Sequence, residues 1–385
     1  MKKLFTLALA SVLSIGLVAC GGSDTKKAEQ PAKDDKAATE QATTQEATKD
    51  AKGTFDIEVT DEMKEAAKTF KVGMVTDTGG IDDKSFNQGT WEGITKFKEM
   101  TSATANYAQS NSDADYLPNL STFAEDGSNL VVAAGYLFAS SIEETAKNYP
   151  DTNFLLVDEK VAPLDNLASA SFAENEGSYL VGIAAGETAK AAGKTMVGFI
   201  GGGDSELIQR FEAGYEAGVK SVDSNIQVKI EYVGGFSDSG KAQSIAAKMY
   251  DEGAAVIFHA AGGAGNGLIK EAKDRRLNGQ DVWAIGVDKD QYEEGIYEDG
   301  KSAILTSMVK RVDVASFDIS VQALQGKFPG GQNILYNIKN GGIDIPEKNP
   351  NLSDDIITRI NAEKEKIKSG ELEVPAVPTR ISGQK

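Results

Sequence analysis

Residues 75–88 concentrate side chains that suit the binding of a small ligand. They have the sequence Val-Thr-Asp-Thr-Gly-Gly-Ile-Asp-Asp-Lys-Ser-Phe-Asn-Gln and follow a short apolar stretch that is predicted to form a strand. Ligands of open α/β proteins bind at the carboxyl ends of strands, in pockets with a few well-placed polar groups. Carboxylates, amides and one aromatic ring at such a position predict a site for a small polar molecule that contains a ring.

The last four residues of this segment allow a structural role as well as a binding role. Ser85 and Gln88 have the spacing of a capping box, in which Ser85 is the N-cap of a helix and Gln88 is its third residue. Phe86 lies in the first turn of that helix, where it either packs into the core or offers its flat face to a ring. Stacking on an aromatic side chain contributes about 1–3 kcal/mol per base in nucleic-acid complexes. Spacing alone leaves both roles of Phe86 open.

The carboxylates of the segment suggest a metal site at first sight. Asp77, Asp82 and Asp83 lack the alternating oxygen ligands of a calcium-binding EF-hand loop, and Lys84 interrupts them. We therefore expect no metal here. Asp77, directly after the strand, is better suited to accept hydrogen bonds from N–H or O–H groups of a ligand.

Two further charged residues are predicted to lie at strand ends. Asp288 ends the apolar stretch 282–287, and Lys310 follows the stretch 303–309. Each is compatible with an ordinary surface charge. Together, a carboxylate that accepts and an ammonium that donates are able to bracket a vicinal diol.

Two glycine-rich segments resemble phosphate-binding loops but lack their essential features. Residues 199–205 do not end in the Gly-Lys-Ser/Thr of a P-loop, and the glycines of residues 262–267 miss the G-x-G-x-x-G spacing by one place. Both segments predict tight turns where backbone, for example at Gly262, approaches a ligand or a helix. Apolar residues recur every four positions in the helix after the first segment, so spacing alone favours a core position for Phe211.

The near absence of histidine and cysteine argues against catalysis. His259 is the only histidine and ends an apolar strand, and Cys20 is the only cysteine. A Ser–His–Asp triad or a histidine metal site would have to use His259, for which a buried structural role is favoured. We expect no enzyme activity and no cofactor.

From Phe70 onward, apolar strands alternate with amphipathic helices. This alternation predicts an α/β fold with parallel sheets that helices cover on both faces. The units fall into two lobes, residues 70–172 with about 291–325 and residues 173–290 with about 326–385. Two such lobes with a cleft between them are typical of a hinged binding protein that closes on its ligand.

The amino terminus has the pattern of a processed and lipidated export signal. Lys2 and Lys3 precede the apolar residues 4–19, and Cys20 stands where a bacterial lipobox places its lipidated residue; a chance cysteine near a cleavage site is the alternative. Two or three acyl chains on Cys20 would anchor the protein stably, whereas one chain binds a membrane only marginally. Residues 21–53 are polar and predict a disordered tether with a reach of roughly 30 Å.

The charge of the chain argues against a nucleic-acid partner. The net charge is -18, and no basic stripe that would contact a phosphate backbone is evident.

The chain resembles the basic membrane protein family of bacterial lipoproteins, the nucleoside-binding components of ABC importers. The resemblance extends from the lipobox to roughly residue 345, and residues 75–88 are its most specific part. Supporting segments are 148–154, 176–182, 210–214 and 285–288. The resemblance implies a two-lobed type I periplasmic-binding-protein fold, with a purine nucleoside in the cleft between the lobes.

The resemblance also implies roles for individual residues. Phe86 and Phe211 would sandwich the base, while Asp77 and Asn87 would contact its polar edge. The ribose hydroxyls would be held by Asp288, Lys310 and backbone near Gly262. Residues 135–141 depart from the family pattern, because Ser140 stands where an aspartate is common. This departure leaves the base preference open.

The sequence therefore predicts a lipid-anchored, extracytoplasmic and monomeric protein that captures purine nucleosides for an ABC permease and its ATPase. A surface adhesion or sensing lipoprotein that binds a partner protein is the alternative. A nucleoside hydrolase that uses the Asp82–Asp83 pair is a third hypothesis.

Overall fold

Parallel strands that alternate with helices along most of the chain form two large sheets, as the alternation of apolar stretches predicts. The structure is a computed structural model and describes residues 45–46, 55 and 57–383. The predicted signal peptide 1–20 with Cys20, and most of the predicted tether 21–53, lie outside the described residues. Two residues of that tether, Gln45–Glu46, are described and form a short strand instead of disordered chain.

The strands are β1 Gln45–Glu46, β2 Lys71–Thr76, β3 Thr104–Gln109, β4 Leu130–Ala134, β5 Asn153–Val157, β6 Leu167–Phe172, β7 Met196–Gly201, β8 Gln227–Tyr232, β9 Val256–Ala260, β10 Trp283–Asp288, β11 Ile296–Glu298, β12 Lys301–Ser302, β13 Ile304–Lys310, β14 Asn333–Tyr336 and β15 Ile343–Asp344. The α-helices are α1 Asp61–Ala67, α2 Phe86–Thr101, α3 Tyr116–Glu125, α4 Ala139–Asn148, α5 Glu174–Ala191, α6 Glu206–Val222, α7 Ser239–Asp251, α8 Asn266–Leu277, α9 Val312–Leu324, α10 Asp354–Ser369 and α11 Thr379–Ser382.

The first sheet has the strand order β1-β14-β6-β5-β4-β2-β3, and all its neighbouring strands are parallel. Helices α1 to α4 and α9 pack with this sheet or with one another, and we call this assembly lobe 1. Strand β1 forms the edge of this sheet and pairs with β14 through its backbone, which explains how a polar segment joins a sheet.

The second sheet has the order β15-β13-β10-β9-β7-β8 and is parallel except for β15, which runs antiparallel to β13. We call this sheet with helices α5 to α8 and α10 lobe 2. The chain passes between the lobes after β6, after β13 and after β14, so three connections join them.

The division of the carboxyl-terminal region differs from the predicted one. Residues 291–325 were assigned to lobe 1, but β13 pairs with β10 of lobe 2, and only α9 from that range packs in lobe 1. Residues 326–385 were assigned to lobe 2, but β14 pairs with β6 of lobe 1. Periodicity identifies a strand but carries no information about which sheet edge accepts it, which explains the difference.

The core of each lobe contains the central strands of its sheet, which are buried along their whole length. Every residue of β4 and every residue of β9 is buried, as expected for parallel strands that are covered on both faces. In lobe 2, α5 and α6 pack with their backbones in close approach. A Cβ atom on Gly214 would lie only 2.1 Å from the backbone oxygen of Asn175, so only glycine fits there.

The amino terminus of α2 is capped by Asp83 and not by the predicted capping box. The side chain of Ser85 makes no capping hydrogen bond, and the Gln88 amide donates to Glu92 on the surface. The Asp83 carboxylate instead accepts from the backbone N–H groups of Ser85, Asn87 and Gln88 at 2.8–3.0 Å. A carboxylate at a helix amino terminus also interacts favourably with the helix dipole. The capping-box prediction is therefore wrong.

The cap can be tested by comparing two alanine variants. We expect Asp83→Ala to lower the free energy of unfolding by at least about 2 kcal/mol, because three backbone donors lose their acceptor. Gln88→Ala serves as the control and should change it by less than about 0.5 kcal/mol. Urea denaturation measures both values. If Gln88→Ala lost more stability than Asp83→Ala, the result would support the capping box and contradict the cap by Asp83.

Candidate functional site

A cavity between the two lobes is lined by every residue of the described part of the chain that the sequence predicts to contact ligand. The space that its lining residues surround is about 480 Å³, which includes the part that is open to solvent. The predicted residues that line it are Asp77, Phe86, Asn87, Phe211, Gly262, Asp288 and Lys310. Residues that were not predicted also line it, and among them are Gly135, Tyr136, Asp158, Leu207, Ile208 and Phe236.

The carboxyl ends of the parallel strands supply most of these side chains. Asp77 follows β2, Asp158 follows β5, and Asp288 and Lys310 end β10 and β13. The first turn of α2 adds Phe86, and the second turn of α6, in the opposite lobe, adds Phe211. The two sheets therefore direct their strand ends at the same cavity, as open α/β folds commonly do.

Asp77 and Asn87 form a fixed polar pair on the lobe 1 wall. The Asn87 amide donates to Asp77 Oδ1 at 2.7 Å, and the Gly79 backbone N–H donates to the same oxygen at 2.9 Å. Asn87 Oδ1 in turn accepts from the backbone N–H of Asp77. Burial raises the pKa of Asp77, while these hydrogen bonds oppose the rise. Among the described residues none donates to Asp77 Oδ2, so this oxygen is available to a ligand donor.

Gly135 allows the wall beside Asp77 to approach the cavity. Its φ is 125°, a conformation that side-chain-bearing residues avoid. A Cβ atom there would lie 3.6 Å from Asp77 Oδ2 and 3.8 Å from the Phe86 ring. Ser140, the position of the family departure, is exposed in α4 and does not line the cavity. Tyr136 begins the short 3₁₀ helix that precedes α4, and its side chain does line the cavity.

Aromatic rings from both lobes surround the cavity. Phe86 comes from lobe 1 and Phe211 from lobe 2, and both are buried. The Lys310 ammonium lies 5.0 Å from the Phe86 ring centroid and 5.2 Å from the Phe211 ring centroid. Tyr136 and Phe236 meet edge to face across the lobes at 6.1 Å. No periodic pattern identifies these last two residues, because Tyr136 begins a 3₁₀ helix of three residues and Phe236 lies in a loop.

Asp158, Asp288 and Lys310 form a charged group on another wall. Lys310 Nζ lies 2.6 Å from Asp158 Oδ2, and both side chains are buried. Asp288 accepts a hydrogen bond from Ser85 of the opposite lobe at 2.5 Å. Burial alone would lower the pKa of Lys310, but the neighbouring carboxylates of Asp158, Asp288 and Glu174 outweigh it, so the net shift is upward.

Two backbone features mark the carboxylates of this group. Asp158 and Asp288 have φ values of 80° and 68°, and strained backbone of this kind concentrates at functional sites. Asp158 follows a predicted strand just as Asp77 does, so its position at a strand end is the signal that would have identified it.

Further hydrogen bonds join the lobes around the cavity. Gln291 of lobe 2 donates to the backbone oxygen of Lys84, and Asn266 donates to that of Asp83. The Lys289 ammonium lies 2.6 Å from Glu92 on α2. These contacts hold lobe 2 against the amino terminus of α2, so the cleft is closed.

The residues that were considered for catalysis are not arranged for it. Asp82 is exposed while Asp83 is buried as the cap of α2, so they do not form a shared acid–base pair. His259 is buried outside the cavity lining, and its Nε2 lies 3.0 Å from Gln291 Oε1. Burial lowers the pKa of His259 to about 4, which keeps it neutral.

Metal-binding clusters and membrane-spanning helices are both absent from the described part of the chain. It contains no group of three or more acidic, histidine or cysteine side chains that could hold a metal ion. No helix in that part is long and apolar enough to span a membrane.

Comparison with known proteins agrees with this architecture. A chain from Lactococcus lactis named ABC transporter nucleoside-binding protein BmpA is 41% identical over 80% of this chain and 89% of its own length. A Listeria monocytogenes protein named CD4+ T-cell-stimulating antigen is 40% identical over 98% of this chain and 99% of its own. An ABC transporter solute-binding protein from Aeropyrum pernix superposes with a TM-score of 0.72 at 25% identity, over 80% of this chain and 94% of that one.

These likenesses confirm the predicted type I periplasmic-binding-protein fold. The family model described as ABC transporter substrate-binding protein PnrA-like matches residues 70–377, well over half of the chain. Proteins of this family bind a small-molecule substrate for an ABC transporter and are not enzymes. The chain therefore belongs to the PnrA-like family of ABC transporter substrate-binding proteins.

Proposed function

We propose that this protein captures purine nucleosides in the interlobe cavity and delivers them to an ABC permease. The observation that carries the proposal is the pair of phenylalanines, Phe86 and Phe211, which line the cavity from opposite lobes. Two rings that face a cavity from two sides suit a flat heterocycle. The relative from Lactococcus lactis is named for nucleoside binding, which supports the same assignment.

The polar groups suit the remaining parts of a nucleoside. Asp77 Oδ2 is positioned to accept from N–H groups of the base, beside the Asn87 amide. Asp288 and Lys310 are positioned to accept from and donate to the ribose hydroxyls. The protein acts as a monomer outside the cytoplasm and is anchored through acyl chains on Cys20.

The charge of the cavity predicts selection against nucleotides. The lining contains the four carboxylates of Asp77, Asp83, Asp158 and Asp288 against a single ammonium, that of Lys310. A phosphate group would enter a region that is already negative, where like charges repel strongly because water is largely excluded.

Calorimetric titration with adenosine, guanosine, inosine, adenine, ribose and adenosine 5′-monophosphate tests this function. We expect at least one purine nucleoside to bind 100-fold more tightly than the monophosphate and more tightly than either the free base or ribose. Asp288→Asn should weaken the nucleoside at least tenfold, or about 1.4 kcal/mol. Tighter binding of ribose than of every nucleoside would identify a sugar-binding protein instead.

A further inference from the structure

A chain of alternating charges, three buried and one partly exposed, lies behind the cavity and extends beyond the residues that line it. It consists of Asp158, Lys310, Glu174 and Arg210. Lys310 Nζ lies 2.6 Å from Asp158 Oδ2 and 3.9 Å from Glu174 Oε1. Glu174 Oε2 accepts from Arg210 Nε at 2.7 Å. The side chain of Glu174 is fully buried although it does not line the cavity.

Glu174 stands where the chain passes from one lobe to the other. It is the first residue of α5 and follows β6 of lobe 1 after a single residue. Close packing of α5 on α6, which Gly214 permits, brings Arg210 within reach of this carboxylate. Glu174 is therefore fixed by the fold at the junction of both lobes and α6.

The two cations that pair with Glu174, Lys310 and Arg210, lie beside different parts of the cavity. Lys310 is a lining residue itself, and Arg210 immediately precedes the lining ring of Phe211. Among the described residues, Glu174 Oε1 and Asp158 Oδ1 are buried without a hydrogen-bond partner. Lys310 thus lies between two carboxylates that each keep one oxygen without a hydrogen bond, and its position depends on the balance between them.

We propose that Glu174 is a positioning residue of the ligand site, which holds the Lys310 ammonium toward the sugar and, through Arg210, the Phe211 ring toward the base. The proposal rests on the function proposed above. Without the Glu174 charge, the Lys310 ammonium keeps its contact with Asp158 but is no longer attracted from the Glu174 side, so its position toward the ligand hydroxyls is less well fixed. Arg210 loses its carboxylate partner and no longer restrains the first turns of α6.

The test compares Glu174→Gln with Glu176→Gln. Glu176 is a matched control because it lies in the same turn of α5, is partly buried and accepts from the Ile338 backbone. Within the described part of the chain it has no hydrogen bond or ion pair with a lining residue. The probes are the purine ribonucleoside that binds the wild-type chain most tightly and its 2′-deoxy derivative. We expect Glu174→Gln to weaken the ribonucleoside at least tenfold and the deoxynucleoside by a clearly smaller factor. Glu176→Gln should leave both within twofold.

A readout without ligand separates this proposal from the proposed function. In protein labelled with lysine ¹³Cε, Glu174→Gln should move the titration of Lys310 to lower pH, because a nearby negative charge is lost. The Lys310 signal is assigned by its absence in Lys310→Arg, and Glu176→Gln should not move it. An unchanged Lys310 titration, or equal weakening of both nucleosides, would overturn the positioning role. If no nucleoside binds the wild-type chain, the proposed function fails and the titration alone decides the role of Glu174.

Discussion

The Lys310→Met variant is expected to lose about 3–5 kcal/mol in the free energy of unfolding, because removal of one partner from a buried ion pair leaves the other charge uncompensated. Lys310 is buried beside the carboxylates of Asp158, Asp288 and Glu174. Burial already raises the pKa of Asp158 to about 7 and also raises that of Asp288, and the Lys310 ammonium opposes both shifts. Without the ammonium, both pKa values rise further above those of the unfolded chain. Stability of the variant then falls as pH rises, so its deficit relative to wild type should be larger at pH 8 than at pH 5.

Urea denaturation at both pH values measures this loss in the free energy of unfolding, and two further variants test its physical origin. Adding Asp158→Asn to Lys310→Met should recover part of the lost stability, because the stranded charge is removed. Lys289→Met breaks an ion pair with Glu92 that is partly accessible to water, and it should cost less than about 1 kcal/mol. A Lys310→Met variant as stable as Lys289→Met, with no pH dependence, would contradict the account of a buried charged group.

The charged and aromatic residues that the sequence identified share one property, since they lie at predictable ends of strands and helices. Asp77, Asp288 and Lys310 follow apolar strands, and the carboxyl ends of parallel strands meet at one edge of a sheet. Spacing alone leaves both roles of Phe86 open and favours a core position for Phe211, and the family resemblance indicates a binding role for both. Both descriptions apply, because each ring is buried and also lines the cavity.

What the sequence did not reveal depends on contacts between distant segments. The rings of Tyr136 and Phe236 contact each other across the lobes, and both residues lie in short segments that have no periodic pattern. Ser85 has the residue type of an N-cap, yet its hydroxyl donates to Asp288, which is 203 residues away. The side chain that the local pattern assigned to the helix is instead used between the lobes, and Asp83 takes over the cap.

This reuse of Ser85 links capping to closure of the cleft. Asp83 caps α2 with its carboxylate, while its backbone oxygen accepts from Asn266 of lobe 2. The same short segment therefore fixes the start of α2, carries Phe86 and contacts the opposite lobe. Closure of the cleft and the position of the Phe86 ring both depend on this one turn. This explains why residues 75–88 are the most specific part of the family resemblance.

Replacing either phenylalanine of the cavity by leucine should weaken purine nucleosides about tenfold while the chain stays folded. Leucine keeps much of the apolar volume but removes the flat face, and stacking on an aromatic contributes about 1–3 kcal/mol per base. A purine overlaps a ring over a larger area than a pyrimidine, so the loss in Phe86→Leu and Phe211→Leu should be greater for a purine ribonucleoside than for cytidine. Calorimetric titration of each variant with both ligands gives the comparison.

Phe172 provides the matched control for this experiment. Its ring centroid lies 5.2 Å from Lys310 Nζ, as that of Phe211 does, but Phe172 stacks on Tyr336 and does not line the cavity. Phe172→Leu should therefore lower stability by about as much as the other two variants and leave the ratio of purine to cytidine affinity unchanged. If all three variants weaken the purine equally, or if none does, the rings contribute packing alone and the base is not held between them.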